Sequence, residues 1–321
     1  MIIFETKKIA LIILNWNKSD LTISFVNNIK RVEDQDLNIR MIVVDNKSNE
    51  KEREKLFNLT HCSPTWLILT ENDLDNKKVL NNKDSNILLL LNENYGYAKG
   101  NNYGLKLAHN LGYKYSIISN NDIIIEKPVI NDLIKVFAIS DNVAIVGPKI
   151  IGPSGKNQGP FNKPNLYNYF FYPILYPITW PIEKIKEKLK GNKDSVLIQF
   201  PYRLMGCFMA VDLDVMNSVN WFDENTFLYG EELILAEKLN KMGYKTAYID
   251  SVHVKHLHGV STADLGEKNR IIQQLKSDLY YFKNYRNYGS IRLFFIKTGY
   301  LYSNFVLSPV IKKMKEWLRL N

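Results

Sequence analysis

The chain has 321 residues, 45% hydrophobic, 23% charged and 12% aromatic, enough for one large domain with an appendage or for two domains with cores, and it excludes disordered, collagenous and disulfide-scaffold proteins. The formal net charge of +9 is concentrated: residues 267–321 hold 11 Lys and Arg against Glu267, Asp278 and Glu316, whereas the first 266 hold 31 basic and 30 acidic residues. Cys62 and Cys207 have no CxxC spacing, which argues for a reducing compartment and against a structural zinc site.

In chain order, Lys7 and Lys8 precede a short apolar run with no small-residue cleavage site behind it, so the start does not read as a signal peptide. Buried-strand runs then alternate with helical patterns. The runs are Ile9–Leu14, Met41–Val44, Ile87–Leu91, Tyr115–Ile118 and Val143–Val146, and the helical stretches are 21–30, 51–59, 101–111 and 129–139. This alternation predicts a mostly parallel α/β sheet flanked by helices, whose ligands sit at the carboxyl ends of the strands. Asn15, Asn17, Asp45, Asn46, Asn92, Asn94 and the run Asn120-Asn121-Asp122 stand at those ends.

Pro148–Pro181, rich in Pro, Gly, Asn and aromatics, reads as a long irregular excursion, and 183–193 as a short charged helix or connection. Val196–Phe200 and Cys207–Val211 read as strands, 233–242 as a helix capped by Gly243, and 247–250 and 252–254 as further extended chain. Leu293–Ile311 is the most apolar stretch of the tail. Lys297 interrupts it and Gly299, Asn304, Ser308 and Pro309 dilute it, which favours a surface-lying segment over a membrane span.

Four constellations could carry chemistry. Asp45 at a strand end suits a ribose or base N–H, or else caps its turn. Asn94-Tyr-Gly-Tyr-Ala-Lys-Gly-Asn-Asn-Tyr-Gly104 follows a strand and opens a helix, so its backbone N–H groups and the positive helix end can approach a diphosphate, although it lacks the GxGxxG fingerprint and also reads as a plain turn. Asp122 reads either as a hairpin turn or as the carboxylate that holds a divalent ion, to which His256 in His256-Leu-His-Gly-Val-Ser261 could add an imidazole. Glu231 and Glu232 sit at the start of a helix, where they complement its dipole or supply a general base.

Together and in this order, Leu14-Asn-Trp-Asn17, Val43-Val-Asp-Asn46, the 94–104 segment, Ser119-Asn-Asn-Asp122, Met205-Gly-Cys-Phe-Met209, Trp221-Phe-Asp-Glu-Asn-Thr-Phe-Leu-Tyr-Gly-Glu-Glu232 and His256 with Ser261 resemble a family 2 glycosyltransferase with the Rossmann-like GT-A fold, of the bacterial rhamnosyltransferase-like kind. The resemblance implies a glycosyltransferase domain over 1–262 and a basic, aromatic-rich helical extension over 263–321. It further implies that Asn15, Asp45, Asn94, Gly96, Gly100, Asn101 and Asn121 bind the nucleotide-sugar donor. By the same resemblance Asp122 and His256 hold Mg²⁺ or Mn²⁺, and Glu232, with Glu231 as fallback, is the base of an inverting displacement. The donor it favours is a dTDP-linked rhamnose, with UDP-sugars using the same motifs, and the acceptor a lipid-linked saccharide in surface polysaccharide synthesis. Two departures stand out: only Asp122 of the Asn-Asn-Asp motif carries charge, and Glu232 and Ile234 replace the acids that the family often carries there.

A nucleotidyltransferase is the rival enzyme, but Leu14-Asn-Trp-Asn-Lys18 lacks the glycines of its signature. A nucleic-acid-binding protein is the rival from another class. It is disfavoured because the basic residues gather in a tail with Leu, Phe and Trp instead of across the α/β body. The interleaved aromatics and cations from Leu275 onward instead suit an anionic membrane surface at its cytoplasmic side, or a contact with the catalytic domain or a homodimer partner.

Overall fold

The computed structural model describes residues 8–61, 65–75, 85–177, 179, 198–257 and 266–320. Cys62, Ser261 and the 183–193 segment lie outside these residues. The chain divides into two compact units, one formed by residues 1–161 and 197–264 and the other by 162–196 and 265–321, so the expected Pro148–Pro181 excursion is split: Pro148–Ile151 continue a strand of the first unit, and the aromatic part from residue 162 groups with the C-terminal helices.

The first unit is built on β1 (Ile9–Asn15), β2 (Ile39–Asp45), β3 (Trp66–Thr70), β4 (Asn86–Leu90), β5 (Tyr115–Asn120), β6 (Ile123–Ile124), β7 (Val143–Ile151), β8 (Ile198–Gln199), β9 (Phe208–Asp212) and β10 (Lys245–His256). The sheet order is β3-β4-β2-β1-β5-β9-β7-β10-β6, with β8 on β10. Strands β1 to β5 pair in parallel, whereas β9 runs antiparallel between β5 and β7. This is a mixed α/β fold of the GT-A kind, with a central, mostly parallel sheet between helical layers. The helices are α1 (Ser19–Val32), α2 (Glu50–His61), α3 (Gly96–Asn110), α4 (Ile130–Val136), α5 (Leu213–Ser218) and α6 (Glu231–Lys241).

The period-2 alternation of a strand divides the core. Ile9, Leu11 and Ile13 of β1 join Phe25, Leu56 and Leu133 of one helical layer, while Ala10 and Ile12 join Leu105, Met216 and Leu235 of the other. Both faces of β1 are therefore buried, which is why its sequence is a continuous apolar run. Strand β3 also carries an apolar run, Trp66–Leu69, which the alternation read from the sequence leaves out. It is a short, partly exposed edge strand. The two extended stretches expected at 247–250 and 252–254 are one strand, β10, with an irregularity between Ile249 and His253. The hairpin alternative at Asp122 does not occur, since β6 pairs with β10, not with β5.

The second unit contains a π-helical turn at Tyr167–Phe171, α7 (Glu267–Asn284), α8 (Ser290–Tyr302), a second π-turn at Ser303–Leu307 and α9 (Ser308–Leu320). Much of the aromatic content forms its core. Tyr281 and Phe282 are fully buried, Tyr169 packs on Phe282 and Tyr300, and Phe170 packs on Phe295. Gly299 makes this packing feasible, because a Cβ there would run into Tyr169 O and Phe170 Cα. No helix among the described residues is long and apolar enough to cross a membrane.

Candidate active site

Strand register assembles the site. Asn15 lies opposite Asp45, and Leu14 opposite Asn120, so the polar carboxyl ends of β1, β2 and β5 lie side by side. Asn15 is fully buried, donating to Asp45 Oδ1 at 3.0 Å and Ser48 Oγ at 3.0 Å and accepting from Thr22 Oγ1 at 2.7 Å. Asp45 is equally buried. Its second oxygen accepts from Arg53 Nε at 2.6 Å and from the Ser48 N–H at 3.3 Å. Arg53 also donates to Leu91 O, which ties α2 to the end of β4. These two residues are thus the core of a polar network. Asn121 belongs to it as well, donating to Thr22 Oγ1 at 3.0 Å.

A second network shapes the start of α3. Asn46 Nδ2 donates to Asn94 Oδ1 and Gly96 O, and Asn46 Oδ1 accepts from the Tyr95 N–H. Gly96 has a φ of +77°, and a Cβ there would run into Phe227 O, the carbonyl that accepts the Tyr97 N–H at 2.8 Å. Gly100 lies within the helix and packs it on the sheet, since a Cβ there would sit 2.8 Å from Leu14 Cδ1. Asn101 is fully buried and donates to Tyr97 O, and its own Oδ1 accepts no hydrogen bond.

Asp122 and His256 meet because β10 returns antiparallel to β6 with His256 opposite Ile123. His256 Nε2 lies 3.3 Å from Asp122 Oδ1, and both residues are buried. The other ring nitrogen, Nδ1, pairs with Gln158 Oε1 at 2.8 Å, which orients the ring. Asp122 Oδ1 accepts no hydrogen bond although the residue is only 2% exposed. An orphaned carboxylate oxygen facing an imidazole nitrogen is a donor set that fits a divalent cation. No third His, Cys, Asp or Glu completes a cluster among the described residues, so phosphate oxygens and water would fill the remaining positions.

The acidic pair opens α6 after a turn in which Tyr229 and Gly230 both take positive φ. The two carboxyls differ. Glu231 is buried, its Oε2 accepts no hydrogen bond, and burial, reinforced by the Glu232 charge, pushes its carboxyl well above the usual carboxylate range. Glu232 is half-buried and accepts the Gly206 N–H at 3.2 Å. Gly206 has no room for a side chain, as a Cβ would lie 2.6 Å from Glu232 Cγ. Tyr97 donates its hydroxyl to Gly206 O at 2.7 Å. Burial, with the charges of Glu231 and Glu232 next, raises its phenol well above its ordinary value, so it remains a donor. The neighbouring Cys207 thiol is likewise held protonated by burial and by the charges of Asp122 and Glu232. The cation-type pair and the acidic pair therefore share one electrostatic neighbourhood.

Sequence reasoning did not select Tyr97, Arg53, Gln158 or Gly206 as site residues. Tyr97 and Gly206 lie inside motifs that it quoted, but Arg53 and Gln158 reach the site only through tertiary structure.

No protein-family model matches the chain, and no curated protein matches it. Solved structures do. A structure of GalNAc-T7 with UDP, GalNAc and Mn²⁺ superposes with a TM-score of 0.56 at 10% identity, over 97% of this chain and 58% of that one. The mannosyltransferase PcManGT from Pyrobaculum calidifontis, in complex with GDP-Man and Mn²⁺, gives 0.57 at 12% identity over 99% and 82% of the two chains. The present chain thus spans little more than half the length of the first. At these identities the likeness is one of fold.

Proposed function

We propose that the protein is an inverting glycosyltransferase that moves a sugar from a nucleoside-diphosphate donor, a dTDP-linked rhamnose in the favoured case, to a lipid-linked saccharide acceptor in surface polysaccharide synthesis. The observation that carries this reading is the convergence, at the carboxyl ends of one sheet, of Asp122 facing His256 at 3.3 Å with an acidic pair at the start of α6. The similar structures carry UDP with Mn²⁺ and GDP-Man with Mn²⁺, which supports the same donor class here.

In this reading the network of Asn15, Asp45 and Arg53 shapes the nucleoside end of the site. The Asn94–Asn101 segment, held by Asn46, borders the diphosphate and sugar. A divalent cation held by Asp122 and His256 would supply positive charge to offset that of the departing nucleoside diphosphate. Glu232 takes the proton from an acceptor hydroxyl as that oxygen bonds to the anomeric carbon. The bond from that carbon to the diphosphate breaks, and its electron pair leaves with the phosphate. Glu232 suits this role better than Glu231, because it is the more exposed of the two and one of its oxygens is already oriented by the Gly206 N–H. Catalysis is then mainly positioning and charge placement.

A panel of nucleotide-sugars, each with Mg²⁺ or Mn²⁺, tests this reading. The true donor raises the melting temperature by mass action and yields free nucleoside diphosphate when acceptor is added. A panel in which no nucleotide-sugar stabilises the protein overturns it.

A further inference from the structure

The second unit has an unusual surface. Ten of the seventeen large hydrophobic side chains exposed among the described residues belong to it, though it is the smaller unit. They fall on two stretches, Tyr167, Phe171, Ile174 and Leu175 in the excursion, and Ile291 to Met314 along α8, the second π-turn and α9. Ile291 is 76% exposed and Phe294 61%. This apolar surface is almost free of acid. Residues 162–177 contain no Asp or Glu, and of the two acids in 266–314 Asp278 is buried and accepts from Tyr169 and Gln274, which leaves Glu267 exposed.

Between α7 and α8 lies an open groove of about 510 Å³. Leu279, Leu293 and Phe294 provide apolar walls, Lys283 and Lys297 provide two ammonium groups, and none of the residues lining the groove is acidic. Arg292, Lys312 and Lys313 are exposed on α8 and α9. Exposed apolar side chains interleaved with exposed cations match a surface that offers both phosphate charge and hydrocarbon. A second copy of this chain is a poorer occupant, because it would present the same cations to one another.

We infer that this face docks the protein on an anionic lipid bilayer, with Ile291 and Phe294 entering the interface and Lys283 and Lys297 gripping lipid phosphates at the α7–α8 groove. The inference extends the proposed lipid-linked acceptor by placing the enzyme where such an acceptor resides. Vesicle binding requires no turnover, so it is read separately from the transfer reaction.

The test is flotation of the full chain with vesicles of phosphatidylcholine alone and of phosphatidylcholine with phosphatidylglycerol. The protein floats with the anionic vesicles, stays behind with the neutral ones, and is released by high salt. Replacing Lys283 and Lys297 together by Gln lowers the partition coefficient roughly thirtyfold, since each cation near an anionic surface is worth about fivefold. Ile291→Ser with Phe294→Ser also releases the protein, with melting temperature unchanged in both variants. Equal binding to neutral and anionic vesicles overturns the inference, as does wild-type flotation of the lysine variant. So does a protein that ignores vesicles and is a dimer that the serine variant converts to monomer, which would make this face a self-association surface.

Discussion

Tyr97 and Glu232 are joined through one residue: the Tyr97 hydroxyl donates to Gly206 O at 2.7 Å, and the Gly206 N–H donates to Glu232 Oε1 at 3.2 Å. The same tyrosine is anchored through its N–H to Phe227 O, so the start of α3 and the acidic pair cannot shift independently. Tyr97→Phe removes the hydroxyl and leaves the Gly206 carbonyl without that partner. The expected stability loss is about 1–3 kcal/mol, the usual cost of a buried polar group left unsatisfied. Turnover falls on the order of tenfold or more as Glu232, the proposed base, loses its alignment. Donor affinity, measured by calorimetry, stays close to wild type. A variant that loses donor affinity while retaining turnover contradicts the positioning role.

Glu232→Gln keeps the side-chain shape and the acceptor of the Gly206 N–H but removes the proposed base. Transfer falls at least a hundredfold, the lower range for a general base, and nucleotide binding is retained. Glu231→Gln has the smaller effect on turnover, because its carboxyl is buried and burial pushes it well above the usual carboxylate range, which disfavours its ionised form. A reversal of that order in single-turnover rates assigns the base to Glu231.

Glu231 also sets a pH dependence of stability. Its carboxyl lies well above 4.5 in the folded chain, owing to burial first and Glu232 second. In the unfolded chain the group ionises near 4.5. Between those two values the folded state binds more protons, so this residue makes stability fall as pH rises, and above the folded value the penalty is constant. Glu231→Gln removes the penalty. Thermal melts across pH should find the variant more stable than wild type above neutral pH, with the gap closing toward pH 4.5. A gap that does not change with pH rules out ionisation of Glu231 as its source.

How far the sequence reached depends on where each residue's partners lie. The strands that position the site were legible because β1, β2, β4 and β5 are largely buried and mostly apolar, and because Asn15, Asp45 and Asp122 interrupt that pattern at or just past strand ends. The short α5 leaves no comparable pattern, whereas edge strand β3 does carry an apolar run, Trp66–Leu69, that the alternation read from the sequence leaves out. The pairing of Asp122 with His256 stood in the sequence as one alternative among others, and the resemblance singled it out. It depends on β10 passing antiparallel to β6, a contact across more than 130 residues that periodicity does not encode. Gln158, 98 residues from His256, is invisible for the same reason. The glycines show the reverse case, since Gly100 reads as a ligand-loop residue in sequence while in the fold it brings α3 against Leu14. The many aromatics of the tail read as a membrane belt, yet Tyr281 and Phe282 are core residues.

Asp122 Oδ1 accepts no hydrogen bond, and the facing His256 ring is oriented through Nδ1 by Gln158. If this pair serves a divalent ion, Asp122→Asn, which keeps the shape but removes the charge, abolishes the Mn²⁺-dependent part of nucleoside-diphosphate binding and leaves the metal-free binding in place. Extensive dialysis against EDTA does the same to the wild type, and added Mn²⁺ restores binding to the wild type but not to Asp122→Asn. Gln158→Ala acts one step removed: it frees the imidazole to reorient and weakens Mn²⁺ affinity about 10- to 100-fold, the range for losing an outer-shell partner. Isothermal titration of nucleoside diphosphate with and without Mn²⁺ separates these effects from loss of fold. Undiminished binding and transfer in EDTA after dialysis would sink the cation role, and the unsatisfied oxygen of Asp122 would then need another occupant.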